Sequence, residues 1–138
     1  MSAAQSPDPV QLFRDATAAV VDGKPDAAMR FLHEDIVLDW SRSRGPLQGI
    51  HGGSEGARKY WEEMLEAWKP IAWEVEVVGR PDPETVVLES KPYAQGRGSG
   101  IELRGRGGLI VRIRDGKLIE VTIFQSPEEA LEAAGQPG

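Results

Sequence analysis

The chain has 138 residues, a net charge of −6 and a sequence pI of about 5.0. That acidic balance argues against nucleic acid or an anionic membrane surface as a partner. No apolar run approaches the ~20 residues of a membrane helix, the first residues lack the basic and apolar parts of a signal peptide, and the absence of cysteine removes disulfide and thiolate chemistry.

His33 and His51 are the only histidines, too few for a histidine-dominated metal cage. Length and composition suit one domain over residues 1–138, with 1–7 a flexible lead. A cytoplasmic location is expected.

Asp8-Pro9 opens a first helix, with Asp8 as N-cap and Pro9 at the first helical position. Val10, Phe13, Thr17, Val20 and Val21 follow at helical spacing, and Gly23 supplies the left-handed cap. Pro25 starts a short second helix through Leu32. Ile36 to Trp40 reads as a strand, and Ser41 to Gly53 as a glycine-rich loop. Ser54 is expected to cap a third helix whose face is Ala57, Trp61, Met64, Leu65 and Trp68, stopped by Pro70.

Trp73 to Val78 alternates as a strand, and Thr85 to Tyr93 runs back. Ala94 to Gly100 is a flexible loop. From Ile101 to Ile113 the odd positions are apolar or Gly, the mark of a strand with one buried face. Asp115-Gly116 signals a hairpin turn. A two-residue loop would pair Val111 with Glu120. A three-residue loop pairs Val111 with Ile119, Leu109 with Val121 and Gly107 with Ile123, and keeps the inner wall apolar. The predicted wall is therefore Leu109, Val111, Ile119, Val121 and Ile123, with Arg112, Leu118, Glu120 and Thr122 on the other face. Gly105, Gly107 and Gly108 would let the first strand bend. Ser126-Pro127-Glu128-Glu129 is a capping box for a short last helix.

Helices first and a meander afterwards give an α+β fold. The expected form is a cone-shaped roll: a curved, mixed or antiparallel sheet wrapped around three N-terminal helices, with a short C-terminal helix. A pocket belongs at its wide end.

This order, with Asp22-Gly23, Glu34 to Trp40, Gly49-Ile50-His51-Gly52, Arg97 to Glu102, Arg114 to Lys117 and Glu129-Ala130-Leu131, resembles the SnoaL-like branch of the nuclear-transport-factor-2-like superfamily. The resemblance implies a cone-shaped pocket for a small apolar or amphipathic molecule, no cofactor, and a homodimer through the outer sheet face. It does not fix an activity. The ketosteroid-isomerase roles of the superfamily fall here on Ala16, Trp40 (with Asp39 beside it), Trp61 and Leu109, so that machinery is not carried over.

Asp39 and His51 form the best acid/base pair in the chain, a carboxylate able to orient an imidazole. Against it, strand alternation turns Asp39 outward if Trp40 faces inward, leaving a surface aspartate and a loop histidine. Trp40, Tyr60, Trp61 and Met64 are candidates to line an aromatic pocket, against plain core packing. Arg42, Arg44 and Arg97 sit in loops able to rim its mouth. The function expected is binding of a small molecule, with cofactor-free isomerase, cyclase or lyase chemistry if the protein is an enzyme. The alternative is a non-catalytic binding or dimerisation module.

Overall fold

The computed structural model describes residues 8–41 and 49–135. The expected flexible lead and the loop residues Arg42 and Arg44 lie outside the described residues. Helix α1, Pro9–Val21, begins where the Asp8 carboxylate accepts the Val10 N–H. It presents Val10, Phe13, Ala16 and Val20 to the core. Helix α2 is shorter than its sequence suggests: Pro25–Ala28, then a 3-10 turn over Met29–Phe31. Leu32 already belongs to strand β1, Leu32–Asp39. A short strand β2, Ile50–Gly52, lies where a loop is expected from the sequence.

Helix α3 spans Gly53–Ala67 and is capped by Gly52 rather than Ser54, without a side-chain hydrogen bond. It buries Ala57, Tyr60 and Trp61, while Met64 and Leu65 pack partly against the core. Trp68 is not on this helix but opens β3, Trp68–Asp82. Strand β4, Thr85–Gly96, is also longer than expected. Arg97 is tied to helix α3. Its Nε donates to the Leu65 carbonyl at 2.8 Å and its backbone N–H to that of Ala67, which closes the C-terminus of α3.

The expected continuous strand from Ile101 is broken at Gly105-Arg106 into β5, Glu102–Arg104, and β6, Gly107–Arg114. Both pair with β4, so the break is a bend in one track. Ile101 and Leu103 face solvent, contrary to the alternation pattern. Strand β7 is Lys117–Phe124, and α4 is Pro127–Ala133. The capping box is formed: Ser126 Oγ accepts the Glu129 N–H, and the Glu129 carboxylate accepts the Gln125 N–H.

The turn between β6 and β7 corrects the predicted register. Asp115 and Gly116 both have positive φ, 54° and 75°, and Arg114 pairs with Lys117 around a two-residue loop. Ile113 then pairs with Leu118. A bulge at Ile119 shifts the register by one, so Arg112 meets Glu120, Val111 meets Val121, and Leu109 meets Ile123. The bulge removes the buried carboxylate that a plain two-residue loop would have required. Leu118 is therefore inside, not on the outer face. Ile119 is half-buried and outside the main core.

The seven-stranded mixed sheet runs β2-β1-β7-β6-β4-β3, with β5 on β4 and the β1–β7 pair parallel. Its concave side holds the main core with α1, α2 and α3. On the convex side, α4 covers Val87, Ile110 and Phe124 through Ala130. The helix thus occupies part of the outer face expected for a homodimer contact. Beside it, Arg112 bonds Glu120 and Thr85, and Thr122 bonds Glu120. Among the described residues, no helix is long and apolar enough to cross a membrane, and no three His, Cys, Asp or Glu side chains gather to hold a metal ion.

Candidate functional site

The concave side of the sheet gathers the aromatic side chains. Phe13 of α1 meets Trp73 of β3 edge-on at 5.4 Å between centroids. Trp73 lies 6.2 Å from Trp40 at the end of β1, and Trp40 meets Tyr60 of α3 edge-on at 5.7 Å. Offset and edge-on contacts of this kind are the favourable ones. The rings arrive there because Ile36, Leu38 and Trp40 share the inner face of β1, while α3 turns Ala57, Tyr60 and Trp61 towards it.

Between these rings lies an apolar crevice lined by Phe13, Ala16, Leu38, Trp40, Trp61, Trp73 and Val121, among others. Its volume is about 20 Å³, room for no more than a water molecule. The cone is therefore nearly filled by its own side chains rather than open at its wide end. A second, open cleft of about 790 Å³ runs between α1 and β3–β4, past Arg14, Ala18, Val21, Ile71, Val75 and Lys91. Thr17 and Trp73 line both spaces, so they stand between the crevice and the cleft.

Of the residues singled out in the sequence, Trp40, Trp61 and Val121 line the crevice. Tyr60 backs Trp40. Leu109 and Val111 are fully buried in the core, and Met64 and Ile123 pack against its edge. Ile119 stands apart, at the bulge. Phe13, Trp73 and Leu118 line the crevice as well, although the sequence does not mark them as pocket residues. Trp73 carries a signal, since it shares period two with Val75 and Val77 on β3.

Asp39 and His51 are not brought together. Leu38 pairs with His51 and Asp39 with Ile50. Paired residues leave a sheet on the same face and neighbours on opposite faces. His51 therefore lies on the inner side, its ring 4.7 Å from that of Tyr60. Asp39 points outward, where it accepts both the backbone N–H and the hydroxyl of Ser41.

The aromatic cluster also carries three polar groups, the indoles of Trp73 and Trp40 and the Tyr60 hydroxyl. Trp73 donates its indole N–H to Ser90 Oγ. Trp40 is only 4% exposed, and its Nε1–H is buried without a hydrogen-bond partner. Burial pushes the Tyr60 hydroxyl from its ordinary 10.0 up to about 12. The nearby Trp40 indole pulls it slightly back, although the two make no hydrogen bond of good geometry. The folded value lies above the unfolded one. This contribution to stability is thus complete below pH 10 and is lost as pH climbs from about 10 towards about 12. It amounts to about 2–3 kcal/mol. Urea titrations from about pH 9 to about pH 11.5 should show that loss in the parent and a flatter profile in Tyr60→Phe.

A mixed sheet curled around three helices, its aromatic side chains turned inward, defines the cone class of the nuclear-transport-factor-2-like proteins. Within it, the chain belongs to the SnoaL-like domain family, whose model matches residues 13–121. No curated protein matches the chain. An NTF2-like protein from Burkholderia xenovorans LB400 is 19% identical over 94% of this chain and 97% of its own, with a TM-score of 0.72. A Mycobacterium tuberculosis protein in complex with estradiol-17β-hemisuccinate is 14% identical over 86% and 93%, with a TM-score of 0.74. The Δ5-3-ketosteroid isomerase of Mycobacterium sp. is 14% identical over 85% and 92%, with a TM-score of 0.73. At such identities the likeness concerns the fold.

Proposed function

We propose that the protein binds a small, mostly apolar molecule between Phe13, Trp40, Trp61 and Trp73. The observation that carries this reading is the aromatic crevice joined to an open cleft across Trp73 and Thr17. Binding would open the crevice by moving Trp73, which is only half-buried. The estradiol derivative held by the Mycobacterium tuberculosis protein supports a guest of this kind.

Binding is favoured over acid/base catalysis by what lines the crevice. Among the described residues there, none carries a carboxylate, an imidazole or an amine. The hydroxyl of Thr17 already donates to the Arg14 carbonyl. A proton-transfer step would lack its base.

Calorimetric titration with indane, a flat bicyclic hydrocarbon, tests the reading. The parent should bind it with a negative heat-capacity change. Ala16→Leu, which fills the crevice from a position 1% exposed, should lose it. Equal binding by both proteins would move the guest elsewhere.

A further inference from the structure

Indole N–H groups are hydrogen-bonded in nearly every protein interior, because a buried donor without a partner costs free energy. Trp40 departs from that rule. The other polar groups of the crevice are already engaged, Thr17 with Arg14 and Trp73 with Ser90. Next to Trp40 stands a second donor, the Tyr60 hydroxyl, on a residue 9% exposed. The two rings meet edge-on, and His51 flanks the tyrosine. This hydroxyl is protonated, and so able to donate, at neutral pH, and burial only raises its value further.

We propose that Trp40 Nε1–H and Tyr60 O–H act as a donor pair for the carbonyl oxygen of a neutral, ring-sized apolar ligand. This inference rests on the interior binding reading above and narrows it to a chemical class. A carboxylate is disfavoured: its charge would be buried with no cation among the described crevice residues. A pure hydrocarbon would leave the indole unpaired. A ketone or ester brings one acceptor and no charge, which is what the pair lacks.

The test compares indane with 1-indanone, the same skeleton with one carbonyl, on the parent, Trp40→Phe and Tyr60→Phe. The ratio of indanone affinity to indane affinity should fall about tenfold in Trp40→Phe and by a smaller factor in Tyr60→Phe, whatever either change does to the apolar binding common to both compounds. The infrared carbonyl band of bound indanone gives a second readout that needs only the parent. It should lie at the lower frequency of a hydrogen-bonded ketone and move up in either variant that folds. If indane binds but the parent's carbonyl band matches that of indanone in a hydrocarbon solvent, the donor pair is refuted and the interior site stands. Equal weakening of both compounds by Trp40→Phe refutes the donor pair in the same way. If neither compound binds the parent, the interior site fails and the donor pair with it.

Discussion

Gly108→Ala should destabilise the protein by about 2–3 kcal/mol, a large effect for one methyl group. A Cβ at this position in β6 would sit 2.5 Å from the Ser126 carbonyl oxygen, and 2.8 Å from both Pro127 Cα and Ala130 Cβ. Two of these three are backbone atoms at the start of α4 and cannot swing aside. The helix would have to lift from the sheet, uncovering Val87, Ile110 and Phe124. Glycine is required here for close approach, not for an unusual φ. Gly56→Ala adds the same methyl group within α3, where the nearest atom lies 3.7 Å away. There the better helix propensity of alanine should raise stability by about 0.5 kcal/mol. Urea denaturation of the two variants checks the contrast. Equal midpoints would mean that α4 does not rest on β6 as described.

Trp73→Ala should lower stability by about 3 kcal/mol and speed the association of indane. The ring contacts Phe13 and Trp40, and its N–H satisfies Ser90, which is 1% exposed. Its removal forfeits that packing and strands the serine hydroxyl. It also removes the wall between crevice and cleft, so a guest no longer waits for the indole to move. Stopped-flow fluorescence should show association about tenfold faster than in the parent, since a required conformational step slows association. An unchanged association rate in a folded variant would show that guests do not pass Trp73.

Much of this fold is legible because the sequence carries local signals with local causes. Asp8-Pro9 and Ser126 to Glu129 form the caps they spell out. The hairpin turn is readable at Asp115-Gly116, but its register is not. Leu118 and Ile119 are adjacent apolar residues, so alternation alone cannot say which one faces inward. The bulge that turns Leu118 and Val121 to the same side changes parity, and only the sheet partners decide it. The ends of β3 and β4 are hidden for a similar reason. Lys69-Pro70 and Gln95-Gly96 look like breakers, but they lie at the far end of the long β3–β4 pair.

The site divides in the same way. Val121 stands out through the alternation of its strand, and Trp40 and Trp61 through the family resemblance, since spacing alone would make them plain core. Asp39 and His51 match by chemistry, yet strand pairing places them on opposite faces. Trp73 reads in the sequence as one more residue of an alternating strand. Its role comes from contacts with α1 and β1, distant in sequence.

The four tryptophans offer the most direct test of interior binding, since each indole N–H gives its own resonance in a ¹H–¹⁵N NMR spectrum. Saturation with indane should shift the signals of Trp40, Trp61 and Trp73, which line the crevice, and leave that of Trp68, which does not. Three unmoved crevice signals, or a shift confined to Trp68, would contradict a guest inside the cone.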